Sequence, residues 1–424
     1  MTSSLVNDPS GDQALQRAHH VVIEVLRLAQ IGDLPMVWLR PRSLALETLC
    51  ADDLDFLFDP GALPRVIMVL FDLCREHRLS ARLTQSNGFK IRFDVLVEPG
   101  QVLQFELWPH AEFRQSASHG MLTRSAVSYD AFHRLQAYQQ PSALAAFFLL
   151  HLHHKDKEPR ASSVQERLRH FADLPLVEES LRDSMLQIMA GQLSVQQGHV
   201  IAMTWLRASG VRLISPLSLQ AQKLWRVVTR LRIPAIRTVA VVGPDGSGKT
   251  TLTDACKASL PSSQFKFVRF KRYFRRVLVH VFRSEPRNVR DEKMLWLIFP
   301  VAWLHFMLAR SLTGWIKTAV MDRYFYDYLA KDVRSESSLF KRVRGYAFLS
   351  SLIPRPGSVV IASCATSVIL SRKAEMQPPS IDALYALYID QVCRSRIKHV
   401  LFCNTNQSIG QASAEMLVFV SGNE

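Results

Sequence analysis

Along the first hundred residues, short apolar runs alternate with polar breaks. Met36–Arg40 and Leu54–Phe58 predict strands, and the apolar residues from Leu63 to Cys74 recur at helical spacing. Lys90–Val97 and Val102–Trp108 predict two more strands around the turn signal Glu98-Pro-Gly-Gln101. From Ser142 to Arg232 the period is helical almost throughout, with a polar connection from Lys155 to Ser163. Past residue 232 the pattern changes. Val239–Val242, Phe265–Phe270, Thr318–Met321, Ser358–Ile361 and His399–Cys403 predict short buried strands with helical segments between them. Strands and helices that alternate this way predict a parallel sheet covered by helices on both faces.

Composition narrows the class. A chain of 424 residues, at roughly 150 per domain, suggests about three domains. With 48% hydrophobic and 21% charged residues it builds packed cores, which excludes wholesale disorder, collagen and coiled-coil fibre. A net charge of +15 favours polyanions: nucleotides, nucleic acid or an acidic membrane face. The six cysteines are scattered, with no C-x-x-C pair, and read as reduced, mostly buried thiols. The first residues show no basic region followed by an apolar core, so no signal peptide is expected and the chain reads as cytoplasmic. The greasy run Met294–Ala309 is short of the roughly 20 apolar residues a membrane span needs. It also holds Pro300 and His305, and it reads as a buried helix.

The strongest chemical signal is Gly243-Pro-Asp245-Gly246-Ser247-Gly248-Lys249-Thr250, which fits G-x-x-x-x-G-K-[ST] at every fixed position. An apolar strand precedes it, and Thr251-Leu-Thr-Asp opens a helix after it. Glycines are needed because backbone N–H groups must turn inward around phosphate oxygens, where a Cβ would intrude. The helix N-terminus adds partial positive charge. Lys249, read as a surface lysine, would reach the β- and γ-phosphates of ATP, and the Thr250 hydroxyl would hold Mg²⁺.

Together with Val320-Met-Asp322-Arg323-Tyr324, this cradle resembles thymidylate kinases and their relatives among P-loop nucleotide kinases, over about residues 236–420. The resemblance implies that Asp322 supports the metal or its waters, that Arg323 grips the acceptor phosphate, and that Asp245 faces the acceptor's sugar. It also places Arg372, in Ser371–Met376, in a lid over the phosphates, and Asn404, in Cys403–Asn406, in a loop near the adenine. Two stretches differ from the family. Phe267–Arg276 stands where an Arg-Glu-Pro stretch usually binds the acceptor, and the fourth strand ends at Cys364 instead of an Asp. The acceptor therefore stays open among phosphorylated small molecules.

The stretch 266–276 interleaves six basic residues with Phe267, Phe270, Tyr273 and Phe274. It could bind acceptor phosphates, lie on an anionic membrane surface, or neutralise a nucleic acid; it could also be a solvated face packed on the sheet. Acceptor binding combined with a packed face is the favoured reading, with no stable nucleic-acid partner expected.

A second constellation lies in the N-terminal half. Asp53 and Asp55 are two apart on a strand and share a face. Glu106, on another strand, could complete a carboxylate triangle able to hold two Mg²⁺ ions. With Trp38-Leu-Arg40 upstream, residues 35–160 resemble polymerase-β-type nucleotidyltransferases. The resemblance implies a closing helix from Ala143 onward and places Lys155 or Lys157 near the triphosphate. Pro41-Arg-Ser43 lacks the Gly-Ser that such enzymes usually carry. His151, His153 and His154 split between helix faces and read as structural.

The expected organisation is α/β: an α+β nucleotidyltransferase-like domain (1–160), a helical spacer (161–232) and a P-loop thymidylate kinase-like domain (233–424). The expected activity is ATP- and Mg²⁺-dependent transfer of a γ-phosphoryl group to a nucleoside monophosphate or another phosphorylated acceptor. The alternative is a P-loop ATPase switch acting on a partner or membrane, with a non-catalytic N-terminal scaffold. Oligomer formation is left open.

Overall fold

The computed structural model describes residues 9–40, 54–85, 90–98, 101–116, 122–228, 238–269, 317–324, 326–327, 355–373 and 377–422. Its architecture is mixed α/β. Two compact units divide the chain: Met1–Val66 with Ser86–Arg230, and Ile67–Gln85 with Leu231–Glu424.

In chain order the first elements are α1 (Pro9–Gln30), β1 (Met36–Trp38) and β2 (Leu54–Phe58). Then α2 (Leu63–Glu76) carries the chain from the first unit into the second, where β3 (Ser80–Gln85) follows. The first unit resumes with β4 (Ile91–Glu98), β5 (Gln101–Trp108), β6 (His110–Ser116) and β7 (Leu122–Ser128). It ends in helices: α3 (Tyr129–His133), α4 (Gln140–Lys155), α5 (Ser162–Asp173), α6 (Glu179–Met189), α7 (Val195–Ala208) and α8 (Pro216–Val228).

Strand β2 is the hinge of this unit's sheet. It pairs antiparallel with β1 and parallel with β5, which pairs antiparallel with β4. The hairpin β6–β7 stands as a separate two-stranded sheet. Helix α4 is apolar nearly all round, as a central core helix must be, and it packs against α5, α6, α7 and β6. Ser142 is buried at its start. Its hydroxyl donates to the Leu176 carbonyl (3.2 Å) and accepts from the Glu178 N–H (2.9 Å), so its polar group is matched.

The second unit continues with β8 (Thr238–Val242), α9 (Lys249–Ser259), β9 (Phe265–Arg269) and β10 (Thr318–Asp322). It closes with β11 (Ser358–Ser363), α10 (Thr366–Arg372), α11 (Pro378–Ser395), β12 (His399–Asn404) and α12 (Ile409–Ser421). Its strands lie in the order β3-β12-β11-β8-β10-β9. All pairs are parallel except β3 against β12. Every residue of β8, β10 and β11 is buried, which explains their unbroken apolar runs. Helices α9 and α12 pack on each other and on the strands.

The five predicted strands past residue 232 all form. Sequence reasoning missed α1, β3, β6 and β7. It also missed that residues 67–85 belong with the second unit. There β3 supplies hydrogen-bond partners to β12, and Phe71 of α2 packs on Phe402 (5.2 Å between rings) and Tyr385 (4.9 Å). The greasy run 294–309 lies outside the described residues. Among those described, no helix is long and apolar enough to cross a membrane. The five described cysteines are free and buried, as expected.

Candidate active site

The cradle lies between β8 and α9, and its backbone explains its glycines. Gly243 sits at φ 148°, and a Cβ there would come within 2.9 Å of Ser247 Oγ and 3.0 Å of the Ala362 carbonyl. Gly246 (φ 90°) and Gly248 (φ 87°) hold left-handed conformations open to glycine at little cost. Gly248 forms the N-cap of α9, so the helix N-terminus opens onto the loop.

Lys249 is not the surface lysine the sequence suggested: it is only 4% exposed. Its ammonium donates to the carbonyls of Gly243 and Pro244, each at 2.5 Å, and lies 3.8 Å from Asp245 Oδ1. Burial pulls its pKa down; Asp327, Asp245 and Asp322 oppose that shift, while Arg323 adds to it.

Parallel pairing of β10 beside β8 brings Asp322 and Arg323 to the same end of the sheet as the cradle. The Thr250 hydroxyl donates to Asp322 Oδ2 (3.4 Å), while Asp322 Oδ1 is buried without a hydrogen-bond partner. A buried carboxylate oxygen left unmatched beside a threonine hydroxyl suits a hard cation such as Mg²⁺. Arg323 adopts φ 73°, an uncommon conformation for a non-glycine residue that concentrates at functional sites. Its N–H donates to the Val241 carbonyl (3.0 Å) and its guanidinium donates to Asp245 Oδ1 (2.9 Å). Burial opposes the guanidinium's charge, yet Asp245, Asp327 and Asp322 hold its pKa above the usual range.

Asp245, Gly246, Gly248, Lys249, Thr250, Thr251, Arg323 and Arg372 line one cavity of about 590 Å³. Arg372, at the end of α10, donates to the Gly246 carbonyl (3.2 Å). Asn404 is not among the lining residues. It is buried, and its amide donates to the Arg78 carbonyl (2.5 Å) while its backbone N–H donates to Ser80 Oγ (2.8 Å), which ties β12 to the start of β3. Thr405, one residue on, lines the cavity instead, with its hydroxyl 2.8 Å from the Ser247 carbonyl.

Sequence reasoning also missed Asp327 and Tyr388. The Tyr388 hydroxyl donates to Asp327 Oδ1 (2.8 Å) and lies 3.3 Å from the Gly243 carbonyl. Asp327 Oδ2 accepts from the Tyr324 N–H (3.0 Å). Burial pushes the Asp327 carboxyl up, while Lys249, the Tyr324 N–H, Tyr388 and Arg323 pull it down. Cys364, just past β11, has a buried thiol that donates to Asn406 Oδ1 (3.0 Å). Of the stretch 266–276 only residues 266–269 are described. There Arg269 pairs with Asp254 (3.2 Å) on α9.

In the first unit, Asp55 and Glu106 stand directly opposite each other on the parallel strands β2 and β5. Asp53 lies outside the described residues. Both described acids already have basic partners: Arg40 pairs with Asp55, and Lys90 with Glu106. The Trp108 indole N–H donates to Asp55 Oδ1 (2.9 Å), and the Gln104 amide donates to Glu106 Oε1 (2.9 Å). Among the described residues no group of three His, Cys, Asp or Glu could hold a metal ion. Asp53, the third member of the expected triangle, is not one of those residues.

The three histidines of α4 divide. His153 packs on the His199 ring (4.4 Å) as a structural residue. His151 and His154 instead line a cavity of about 590 Å³ with Asp55, Glu106, Lys155 and Lys157. His151 Nε2 lies 3.0 Å from the Arg40 guanidinium and accepts from it, so Arg40 is fixed on two sides. Burial lowers the His151 pKa to about 2, with Arg40, Lys157, Lys155 and His154 adding to the shift. No protein-family model matches the chain, and no curated protein matches it.

Proposed function

We propose that the chain is an ATP-dependent phosphotransferase. It would move the γ-phosphoryl group of ATP to a nucleoside monophosphate or another phosphorylated small molecule. The observation that carries this reading is the shared cavity: Asp245, Gly246, Gly248, Lys249 and Thr250 of the cradle line one space with Arg323 at the end of a parallel sheet, and Asp322 stands beside it as the acceptor of the Thr250 hydroxyl. Phosphoryl transfer requires positioning and charge neutralisation far more than a covalent nucleophile, and these residues supply both.

When bound, Mg²⁺ would neutralise phosphate charge; Thr250 Oγ1 and Asp322 are the residues to hold it. Lys249 would swing its ammonium from the loop carbonyls to the phosphates, a short exchange between acceptors around the same loop. Arg323 grips the anionic acceptor while Asp245 holds its guanidinium in place. Arg372, already anchored at Gly246, covers the phosphates. No residue forms a covalent intermediate. The Mg²⁺ pair expected at Asp53, Asp55 and Glu106 has no part in this mechanism.

The test is stoichiometric. ATP consumption is followed against a panel of nucleoside monophosphates and phosphorylated sugars, with ADP and free phosphate both measured. The reading expects one acceptor to raise ADP release without a matching rise in free phosphate. Free phosphate equal to ADP with every acceptor would replace the kinase by a P-loop ATPase switch.

A further inference from the structure

The first unit's cavity has the chemistry of an anion site. Five basic side chains line it (Arg40, Lys90, Arg124, Lys155 and Lys157) against three carboxylates, those of Asp55, Glu106 and Glu112. The carboxylates are not bare. Asp55 is 3% exposed and pairs with the half-buried Arg40; Lys90 meets Glu106 and also lies 5.4 Å from the centre of the Trp108 ring. A divalent ion at Asp55 and Glu106 would have to sit beside two fixed cations or displace them. Displacement would cost both existing ion pairs, each made to a carboxylate that is itself buried. An ion seated beside the two cations would instead be repelled by both.

We infer that this cavity is a metal-independent binding site for a phosphate-bearing anion. Arg40 and Lys90 occupy the electrostatic role that metal ions would otherwise fill, and Arg124, Lys155 and Lys157 receive the anion at the rim. The histidines agree with this. Burial and the neighbouring cations Lys155, Arg124 and Arg114 lower the His154 pKa to about 4, so it adds no charge near neutrality. The rim cations are placed to meet a ligand: Lys155 and Lys157 are exposed at the end of α4, and Arg124, 3.8 Å from Glu112, is exposed on β7. This site stands apart from the proposed kinase reaction and does not depend on it.

Calorimetry of the full chain in EDTA tests the inference, with inorganic phosphate, inorganic tripolyphosphate and ATP as separate probes. The chain carries Lys249→Met throughout, to weaken binding at the Gly243–Thr250 cradle. Tripolyphosphate is expected to bind saturably without metal. ATP binding equally well would identify the phosphates as what is recognised; inorganic phosphate binding as tightly would reduce the ligand to one phosphate. Lys155→Ala/Lys157→Ala, at exposed positions, should weaken binding at least tenfold. Asp55→Asn/Glu106→Gln should strengthen it severalfold, because Arg40 and Lys90 are then released to the anion. Repeated with Mg²⁺ in place of EDTA, a two-metal site predicts the opposite sign, since the variant would lose the ions that hold the anion. Unchanged affinity in the lysine double variant would overturn the inference. So would Mn²⁺ that binds the chain by electron paramagnetic resonance and is lost in Asp55→Asn/Glu106→Gln.

Discussion

The Arg323 guanidinium is tied to Asp245 Oδ1 at 2.9 Å, so the end of β10 and the cradle after β8 are joined by one charge-assisted bond. The pair aims Arg323 into the cavity from a left-handed backbone that few side chains adopt without reason. Arg323→Ala should therefore weaken use of the phosphorylated acceptor by roughly 30-fold, about 2 kcal/mol, and change ATP binding much less. Steady-state kinetics with varied acceptor, beside direct ATP titration, reads the difference. Equal losses of both would move Arg323 into the ATP site.

Lys249 carries a second prediction, and its burial dictates the variant. Any variant takes the donor from two loop carbonyls, but truncating a side chain only 4% exposed to alanine also opens a cavity against the loop, so Lys249→Ala would mix a large folding effect with a chemical one. Lys249→Met keeps most of the volume. It should abolish phosphoryl transfer while leaving circular dichroism and a cooperative thermal transition in place. Full transfer in a folded Lys249→Met chain would end the kinase reading.

How much of this was legible before folding depends on the distance over which each feature is encoded. The cradle is local: a strand, eight residues and a helix, with glycine required by φ at Gly243, Gly246 and Gly248. Asp322 and Arg323 were legible only through resemblance, because nothing in their own neighbourhood says that β10 will pair beside β8. Tyr388 and Asp327 were not legible at all. They meet beneath Gly243 by tertiary packing of α11, and a tyrosine and an aspartate in helical surroundings carry no distinguishing pattern. The placement of β3 failed to show for the same reason, since its partner β12 is more than three hundred residues later. In the N-terminal half, spacing did place Asp55 and opposed it to Glu106. It could not show that Arg40 and Lys90 would close on them.

Acid sensitivity follows from His151. Its folded pKa is depressed to about 2 by burial and by the surrounding cations Arg40, Lys157 and Lys155, against an unfolded value near 6.5. Below about pH 6.5 the unfolded chain binds a proton that the folded chain refuses, so stability falls as pH drops. From pH 7 to pH 5 this one group should remove about 2 kcal/mol. His151→Gln should lose that share of the slope, read as the difference in urea midpoint at the two pH values. A parent and a variant with the same pH slope would show that His151 is not held neutral.

The last prediction concerns Asp327, which no sequence pattern marked. Lys249 is pulled toward neutrality by burial, and Asp327 is first among the carboxylates that keep it charged. Only a charged Lys249 can neutralise a phosphoryl group in flight. Asp327→Asn preserves shape, can still accept from the Tyr324 N–H and can still meet the Tyr388 hydroxyl, so the fold should survive. With one negative charge gone, the Lys249 pKa falls further, and the alkaline limb of the rate–pH profile should move to lower pH. Near neutrality kcat should fall by about tenfold, roughly 1.4 kcal/mol, while acceptor KM changes little. Tyr388→Phe keeps the carboxylate and should leave the alkaline limb near its parent position. An unmoved limb in Asp327→Asn would reduce Asp327 to a packing residue beneath the loop.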